Sequence, residues 1–297
     1  MERKLKDYLL LSLKGICMGA ADVVPGVSGG TIAFIVGIYD ELIDSIKSIN
    51  TRSLKMLFTG HFAAFWRMIN GNFLFFLLLG IGISIFSLAK LITWLLVAYP
   101  VLVWAFFFGL VLASTWFVGK DIKGWNWRTV LAFIVGAAVA YYITVATPME
   151  TSTHPLFIFC CGAIAICAMI LPGISGSFIL VLLGKYFYIM EAVKTLDLLT
   201  LGIFAVGALL GITSFSRVLS YALKHVRNLT LALLTGFMLG SLNKVWPWKE
   251  VGENLHGMVV ETNVLPNEHV AAAVVLMLTG FFLVYVLEKI SGRKTEK

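Results

Sequence analysis

Long apolar segments constrain the fold of this chain more than any other feature. A helix needs about 20 predominantly apolar residues to cross a bilayer, and six stretches come close to or exceed that length: 72–98, 101–118, 129–147, 200–222, 229–246 and 270–288. Apolar residues make up 59% of the chain and charged residues 13%, against about 45–50% and about 25% in soluble domains. We therefore expect an all-α polytopic membrane protein; the composition excludes disordered, collagen-like, coiled-coil and disulfide-scaffold chains.

An internal repeat divides the chain into two halves. The motif at 25–30, PGVSGG, aligns with PGISGS at 172–177. After two register shifts, which fall in the connector 47–70 and the loop 244–269, further matches follow: Gly80 with Gly207, Gly109 with Gly236, Gly136 with Gly280. The same segment order occurring twice, with differences confined to loops, indicates a duplication.

Each repeat, 1–147 and 148–297, is predicted to contain a re-entrant helical hairpin and three transmembrane helices. The hairpins are placed at 8–46 and 155–195, because their apolar arms are too short to cross alone. A re-entrant hairpin plus three spans reverses the side of the membrane, so the second half is expected to be inverted. Two fully spanning arms would give the same inversion. Inverted repeats with broken helices are typical of transporters.

The distribution of lysine and arginine orients the chain. With the N-terminus in the cytoplasm, most of the 23 basic residues lie in inside segments. The outside segments hold Lys185, Lys194, Lys244 and Lys249. This asymmetry follows the positive-inside rule, and it predicts that both termini are cytoplasmic. The connector 47–70 carries apolar residues at helical spacing and is expected to be an interfacial amphipathic helix; a plain linker is the alternative.

At each motif the backbone leaves one helix and starts another at membrane depth. Proline ends the first arm because it lacks an N–H group, and glycine permits positive φ. Ser28 or Thr31 can cap the second arm, whose N-terminal N–H groups favour an anion. Two such breaks are predicted to form one central anion site from Pro25, Gly26, Ser28, Gly29, Gly30, Thr31, Gly173, Ser175, Gly176 and Ser177. Helix breaks that serve packing alone are the alternative.

Three ionisable residues are added to this site. Lys90 stands alone in an apolar run and aligns with Arg217, so both are expected to donate to phosphate. Lys90 could instead snorkel to the surface, and Arg217 could anchor the helix at the cytoplasmic face. Asp22 precedes the first motif, whereas Met169 occupies the matching position; it could carry a proton or form a structural salt bridge.

The sequence motifs give little support to an enzymatic function. Both copies fit the G-x-S-G of rhomboid-type proteases, but a serine nucleophile needs a base, and the five histidines fall in loops or at span ends. The sequence contains no Walker A or HExxH motif, and its four cysteines lie in apolar runs. We therefore expect a protein that is not an enzyme and needs no metal or cofactor.

The stretch 19–31, GAADVVPGVSGGT, together with LPGISGS at 171–177, resembles the bacterial polyprenyl-phosphate transporter family called PopT. The resemblance covers nearly the whole chain. It implies a carrier in the bacterial cytoplasmic membrane that returns undecaprenyl phosphate from the outer to the inner leaflet for cell-envelope synthesis, with membrane lipids and not nucleic acid as partners. Phosphate is expected to enter near Lys90 and Ser175 and leave near Arg217 and Ser28, by alternating access. A transporter or channel for a small soluble anion and a lipid-modifying enzyme are the alternatives; oligomeric state and coupling ion stay open.

Overall fold

The computed structural model describes residues 3–24, 26–148, 151–253 and 259–291. In these ranges the chain forms fourteen helices and one two-stranded sheet. The first eight helices are α1 (Leu5–Val23), α2 (Gly29–Ile35), α3 (Tyr39–Lys47), α4 (Thr51–Phe58), α5 (Phe62–Met68), α6 (Gly71–Ala98), α7 (Pro100–Lys120) and α8 (Trp127–Val145). The remaining elements are α9 (Pro155–Ile170), α10 (Gly176–Leu182), α11 (Tyr186–Thr195), α12 (Leu198–His225), α13 (Arg227–Ser241), β1 (Lys249–Glu253), β2 (Val259–Asn263) and α14 (Val270–Ser291).

The all-α prediction missed the small sheet. Strands β1 and β2 pair antiparallel, with Lys249 opposite Asn263. They lie in the polar loop between α13 and α14, where the sequence offers no apolar alternation long enough to predict strands. The structure is mostly helical and several of its helices suit a bilayer, as the sequence predicted. The chain is a multi-pass membrane protein.

Five helices of the described ranges are long and apolar enough to cross a membrane: α6, α7, α8, α12 and α14. The predicted span 229–246 instead forms α13, which has 15 residues and ends at Ser241. At 1.5 Å per residue it is about 22 Å long, less than the ~30 Å hydrocarbon core. A sixth candidate is the pair α10 and α11, which is bent by 108°.

Each predicted hairpin consists of three helices instead of two arms. In the first, α2 follows the motif and a second break at Gly37, with φ of 71°, leads into α3. In the second hairpin, Gly184, with φ of 64°, separates α10 from α11. All seven residues of α2 are buried, so the segment after the first motif lies at the centre of the core.

Glycines allow four helix pairs to pack at very close range. Gly80 of α6 faces the carbonyl oxygen of Ser12 in α1 so closely that a Cβ would overlap it. Gly207 of α12 faces the carbonyl oxygen of Phe159 in α9 in the same way. Small residues are typical of such contacts between membrane helices. Two more pairs repeat the arrangement, α7 with α14 and α8 with α13, through Gly109, Gly280, Gly136 and Gly236.

The connector 47–70 forms two short helices, α4 and α5, instead of one continuous amphipathic helix. The break lies at Gly60, whose φ of 80° belongs to the left-handed region. Large apolar side chains remain exposed on both helices, among them Phe58, Phe62 and Trp66.

Candidate functional site at the two helix breaks

The two Pro-Gly motifs share one backbone conformation. Gly26 has φ of 87° and Gly173 has φ of 88°, a left-handed conformation that glycine adopts without strain. Pro25 lies outside the described residues. In each motif the glycine lies three residues after the last residue of one helix, and the serine that follows, Ser28 or Ser175, occupies the N-cap position of the next.

The structure brings the motifs into direct contact through the side chains of the first. The Ser28 hydroxyl accepts from the Gly30 N–H at 3.0 Å, which confirms the predicted cap, and donates to the carbonyl oxygen of Met169 at 2.9 Å. The Thr31 hydroxyl oxygen does not cap its own helix but accepts from the Gly173 N–H at 2.9 Å. Ser28 and Thr31 are fully buried. The contact therefore joins residues about half the chain apart.

Tyr39 is a further residue of this junction that the site prediction did not include. Its hydroxyl donates to the carbonyl oxygen of Ile170 at 3.1 Å. A Cβ on Gly30 would lie 2.5 Å from the same oxygen, so only glycine fits there. The last two carbonyls of α9, which have no partner within their own helix, are thus satisfied by Ser28 of the first motif and by Tyr39. In the offset that aligns the two Pro-Gly motifs, Tyr39 also aligns with Tyr186, and this match is a sequence signal that could have identified it.

The second motif packs against α13 and α9. The hydroxyl groups of Ser175 and Ser177 lie 2.7 Å apart and share a hydrogen bond. A Cβ on Gly173 would lie 2.8 Å from the hydroxyl oxygen of Ser241, and one on Gly176 would lie 2.6 Å from the carbonyl oxygen of Ala165. Ser175 is buried and Ser177 is half-buried.

Asp22 already supplies an anion to the first motif. Its carboxylate accepts from the Gly29 N–H at 2.7 Å, and Ser28 accepts from Gly30. Two of the N–H groups predicted to bind an external anion therefore have internal acceptors in this conformation. Within the described ranges Asp22 has no basic side chain within ion-pair distance, which is unlike the structural salt bridge considered above.

The two predicted cations lie on the exposed sides of their helices. Lys90 is exposed on α6 and Arg217 is exposed on α12. Neither forms an ion pair with a carboxylate in the part of the chain that the structure describes. Their predicted contact with phosphate stays a prediction.

Lys244, three residues after the end of α13, is a cation that contacts the first motif and the residue that follows the second. A Cβ on Gly26 would lie 2.7 Å from the Lys244 Cγ. The Lys244 ammonium lies 4.8 Å from the ring centroid of Phe178, which directly follows Ser177. The sequence placed Lys244 among the outside residues, but only the folded loop brings it to both motifs.

Two helix breaks that meet in the core of a multi-pass helical membrane protein are a feature of membrane transporters. The chain belongs to the undecaprenyl phosphate translocase-like family, whose model matches residues 18–263. It is 49% identical to the polyprenyl-phosphate transporter of Vibrio cholerae over 97% of this chain and 99% of the relative. It is 34% identical to that of Staphylococcus aureus over 79% of this chain and 85% of the relative. No solved structure matches the chain.

Proposed function

We propose that this protein transports a polyprenyl phosphate, undecaprenyl phosphate or a related lipid, from the outer to the inner leaflet of the bacterial cytoplasmic membrane. The observation that carries the proposal is the contact between the two motifs, where Ser28 and Thr31 bond across to the second half. Buried hydroxyl and backbone groups at such a junction can replace the water around a charged head group. The names of both relatives support the same substrate class.

Two inverted repeats, 1–147 and 148–297, provide the framework for this transport. The glycine contacts support them: α1 packs on α6 as α9 packs on α12, and α7 packs on α14 as α13 packs on α8. Equivalent glycines of the two halves make equivalent contacts. Alternating access follows if the halves rock about the junction, as in other inverted-repeat transporters.

The phosphate site in this mechanism consists of the two motifs, with Lys90 and Arg217 guiding the head group on the outer and inner sides. The internal bond between Asp22 and the Gly29 N–H has to open before that N–H can reach a phosphate oxygen. Protonation of Asp22 would weaken this bond, since a charged acceptor binds an N–H more strongly than a neutral one. We assign to Asp22 the coupling of a proton to phosphate binding.

We also propose that both termini are cytoplasmic, in keeping with two ion pairs near α3. Asp44 pairs with Lys224 at 2.7 Å, and Asp40 pairs with Arg227 at 3.1 Å. They join the first half to the second on the side where the basic residues are concentrated. Opening toward the cytoplasm would break these exposed pairs at small cost, because each contributes about 0–1 kcal/mol.

Reconstitution into vesicles tests the function. A fluorescent short-chain polyprenyl phosphate is added, and the outer-leaflet pool is read by quenching with a membrane-impermeant reductant. We expect the protein to accelerate transbilayer movement of the labelled lipid and not to move radiolabelled inorganic phosphate. Uptake of inorganic phosphate without lipid movement would establish the soluble-anion alternative, and a chemically altered lipid would establish an enzyme.

The same vesicles test the predicted cations. Lys90→Ala and Arg217→Ala should each slow lipid movement. Lys194→Ala, which removes an exposed lysine of α11, is the matched control and should leave the rate unchanged. Unchanged rates in both variants would remove Lys90 and Arg217 from the mechanism while leaving the substrate assignment intact.

A further inference from the structure

Two lysines of the loop between α13 and α14 share one carboxylate oxygen. The Glu261 Oε2 atom lies 3.2 Å from the Lys244 ammonium and 3.1 Å from the Lys249 ammonium. The side chain of Lys249 is 8% exposed and that of Lys244 is 20% exposed, against 41% for Glu261. The two ammonium groups are therefore less exposed than the single carboxylate that they share, and the three groups together carry a net positive charge.

Lys249 is held firmly in this cluster. Its ammonium lies 4.0 Å from the ring centroid of Trp104, an attractive cation–π contact, and it donates to the Lys244 carbonyl oxygen at 2.8 Å. Burial lowers the pKa of Lys249 to about 8, although the charge of Glu261 opposes that shift. The two lysines lower the pKa of Glu261, which keeps it ionised. A second negative charge at this position would offset the cost of burying the cations.

Lys244 connects the cluster to the helix breaks. Its aliphatic stem packs on Gly26 of the first motif and its ammonium lies beside Phe178 at the second. An anion bound between Lys244 and Lys249 would therefore lie next to both motifs, on the side of the protein that the charge distribution places outside.

We propose that Lys244 and Lys249 form an entry site for the phosphate monoester of the lipid, and that Glu261 occupies this site as an internal substitute when no lipid is bound. The inference rests on the proposed function and adds two binding residues and a competitor to it. A phosphate monoester carries about −1.5 to −2 charges at pH 7, which matches two ammonium groups better than one carboxylate does. Each lysine then exchanges a carboxylate for a phosphate oxygen.

The exchange displaces the Glu261 side chain from the two lysines, and other bonds hold the loop. The loop is held independently of Glu261, because Asn263 donates to the Asn243 carbonyl oxygen at 2.8 Å and Trp246 donates to that of Val264 at 2.9 Å. Glu261→Gln, which keeps the shape of the side chain, is therefore expected to leave the loop folded.

Binding of geranylgeranyl phosphate to the purified full-length protein in detergent, measured by isothermal titration calorimetry, tests the inference. If the Glu261 bridge occupies the site about nine-tenths of the time, Glu261→Gln should lower the Kd about tenfold. Lys244→Met and Lys249→Met should raise it about tenfold or more, and Lys244→Arg should restore most of the affinity. Geranylgeraniol, which lacks the phosphate, should show no response to any of these changes.

Glu191→Gln is the matched control, because Glu191 pairs with Lys194 at 3.8 Å on an exposed face; its Kd should equal that of the unmodified protein. An unchanged Kd in Glu261→Gln would overturn the role of Glu261, and unchanged values in both lysine variants would overturn the entry site. Should a lysine variant fail to fold, the Kd of Glu261→Gln for geranylgeranyl phosphate still tests whether Glu261 competes for the site. Lipid transport by the unmodified protein with no effect of Glu261→Gln would refute this inference and leave the proposed function standing.

Discussion

The hydrogen bond between the two motifs yields a sharp prediction for Thr31→Val. Thr31 is fully buried, and its hydroxyl oxygen accepts from the Gly173 N–H at 2.9 Å. Valine has nearly the same shape but no oxygen. The substitution therefore leaves the packing of α2 intact and removes the acceptor of a buried backbone donor in the other half of the chain.

The expected loss of stability follows from leaving the buried Gly173 N–H without an acceptor. A buried N–H left without a partner costs about 1–3 kcal/mol. Hydrogen bonds between membrane helices average about 0.6 kcal/mol and reach about 1.7, because the chain unfolded in the membrane finds other partners. A backbone N–H at a helix break has few such substitutes nearby, so we expect about 1–2 kcal/mol. This corresponds to a fall in Tm of roughly 2–4 °C.

Thermal unfolding in detergent measures this loss, with two matched variants. Thr31→Ser keeps the hydroxyl and should retain most of the stability. Thr115→Val removes another buried hydroxyl, one that donates to the Val111 carbonyl oxygen of its own helix; the loss there should be small because that oxygen keeps its helical partner. A Thr31→Val protein as stable as Thr115→Val would refute the reasoning that this bond joins the halves.

Three other changes give distinct outcomes. Gly109→Ala should sharply reduce the recovery of folded protein, because a Cβ would overlap the carbonyl oxygen of Met277; Gly82→Ala, with open space around it, should not, and equal recovery would contradict the close packing. Asp22→Asn keeps an oxygen acceptor but cannot bind and release a proton, so lipid movement should no longer respond to a pH gradient; a persisting response would exclude Asp22 from coupling. Burial lowers the pKa of Lys249 from 10.5 to about 8, so between those pH values the unfolded chain binds more protons and the free energy of unfolding should increase with pH. Lys249→Met should lack that increase in thermal scans, and an equal increase in this variant would assign it to another group.

The sequence predicted the features that depend on local chemistry. The span at 72–98 and the cap by Ser28 follow from apolar length and from the preference of serine for N-caps. The alignment of Gly80 with Gly207 also anticipated residues that make equivalent close contacts. These features are encoded in short stretches, so one sequence was enough to read them.

Features that depend on distant packing were missed. Nothing in the local pattern shows that Thr31 bonds to Gly173 or that Tyr39 reaches the end of α9. The β1–β2 sheet is short and polar, so its strands could not be predicted. The contact of Lys244 with Gly26 depends on how the loop after α13 folds back onto the first motif, which no local pattern shows. A glycine at position 37 permits a helix break but does not require one. The turn into a third helix follows from the left-handed conformation that Gly37 adopts in the fold.

Photolabelling tests directly whether the junction of the two motifs binds the phosphate of the lipid. A polyprenyl phosphate with a diazirine on the isoprene unit next to the phosphate is irradiated with the reconstituted protein, and adducts are mapped by mass spectrometry. We expect adducts within 26–31 and 173–178, competed by unlabelled polyprenyl phosphate and not by polyprenol. Adducts confined to the lipid-facing surfaces of the long helices, or equal competition by polyprenol, would contradict it.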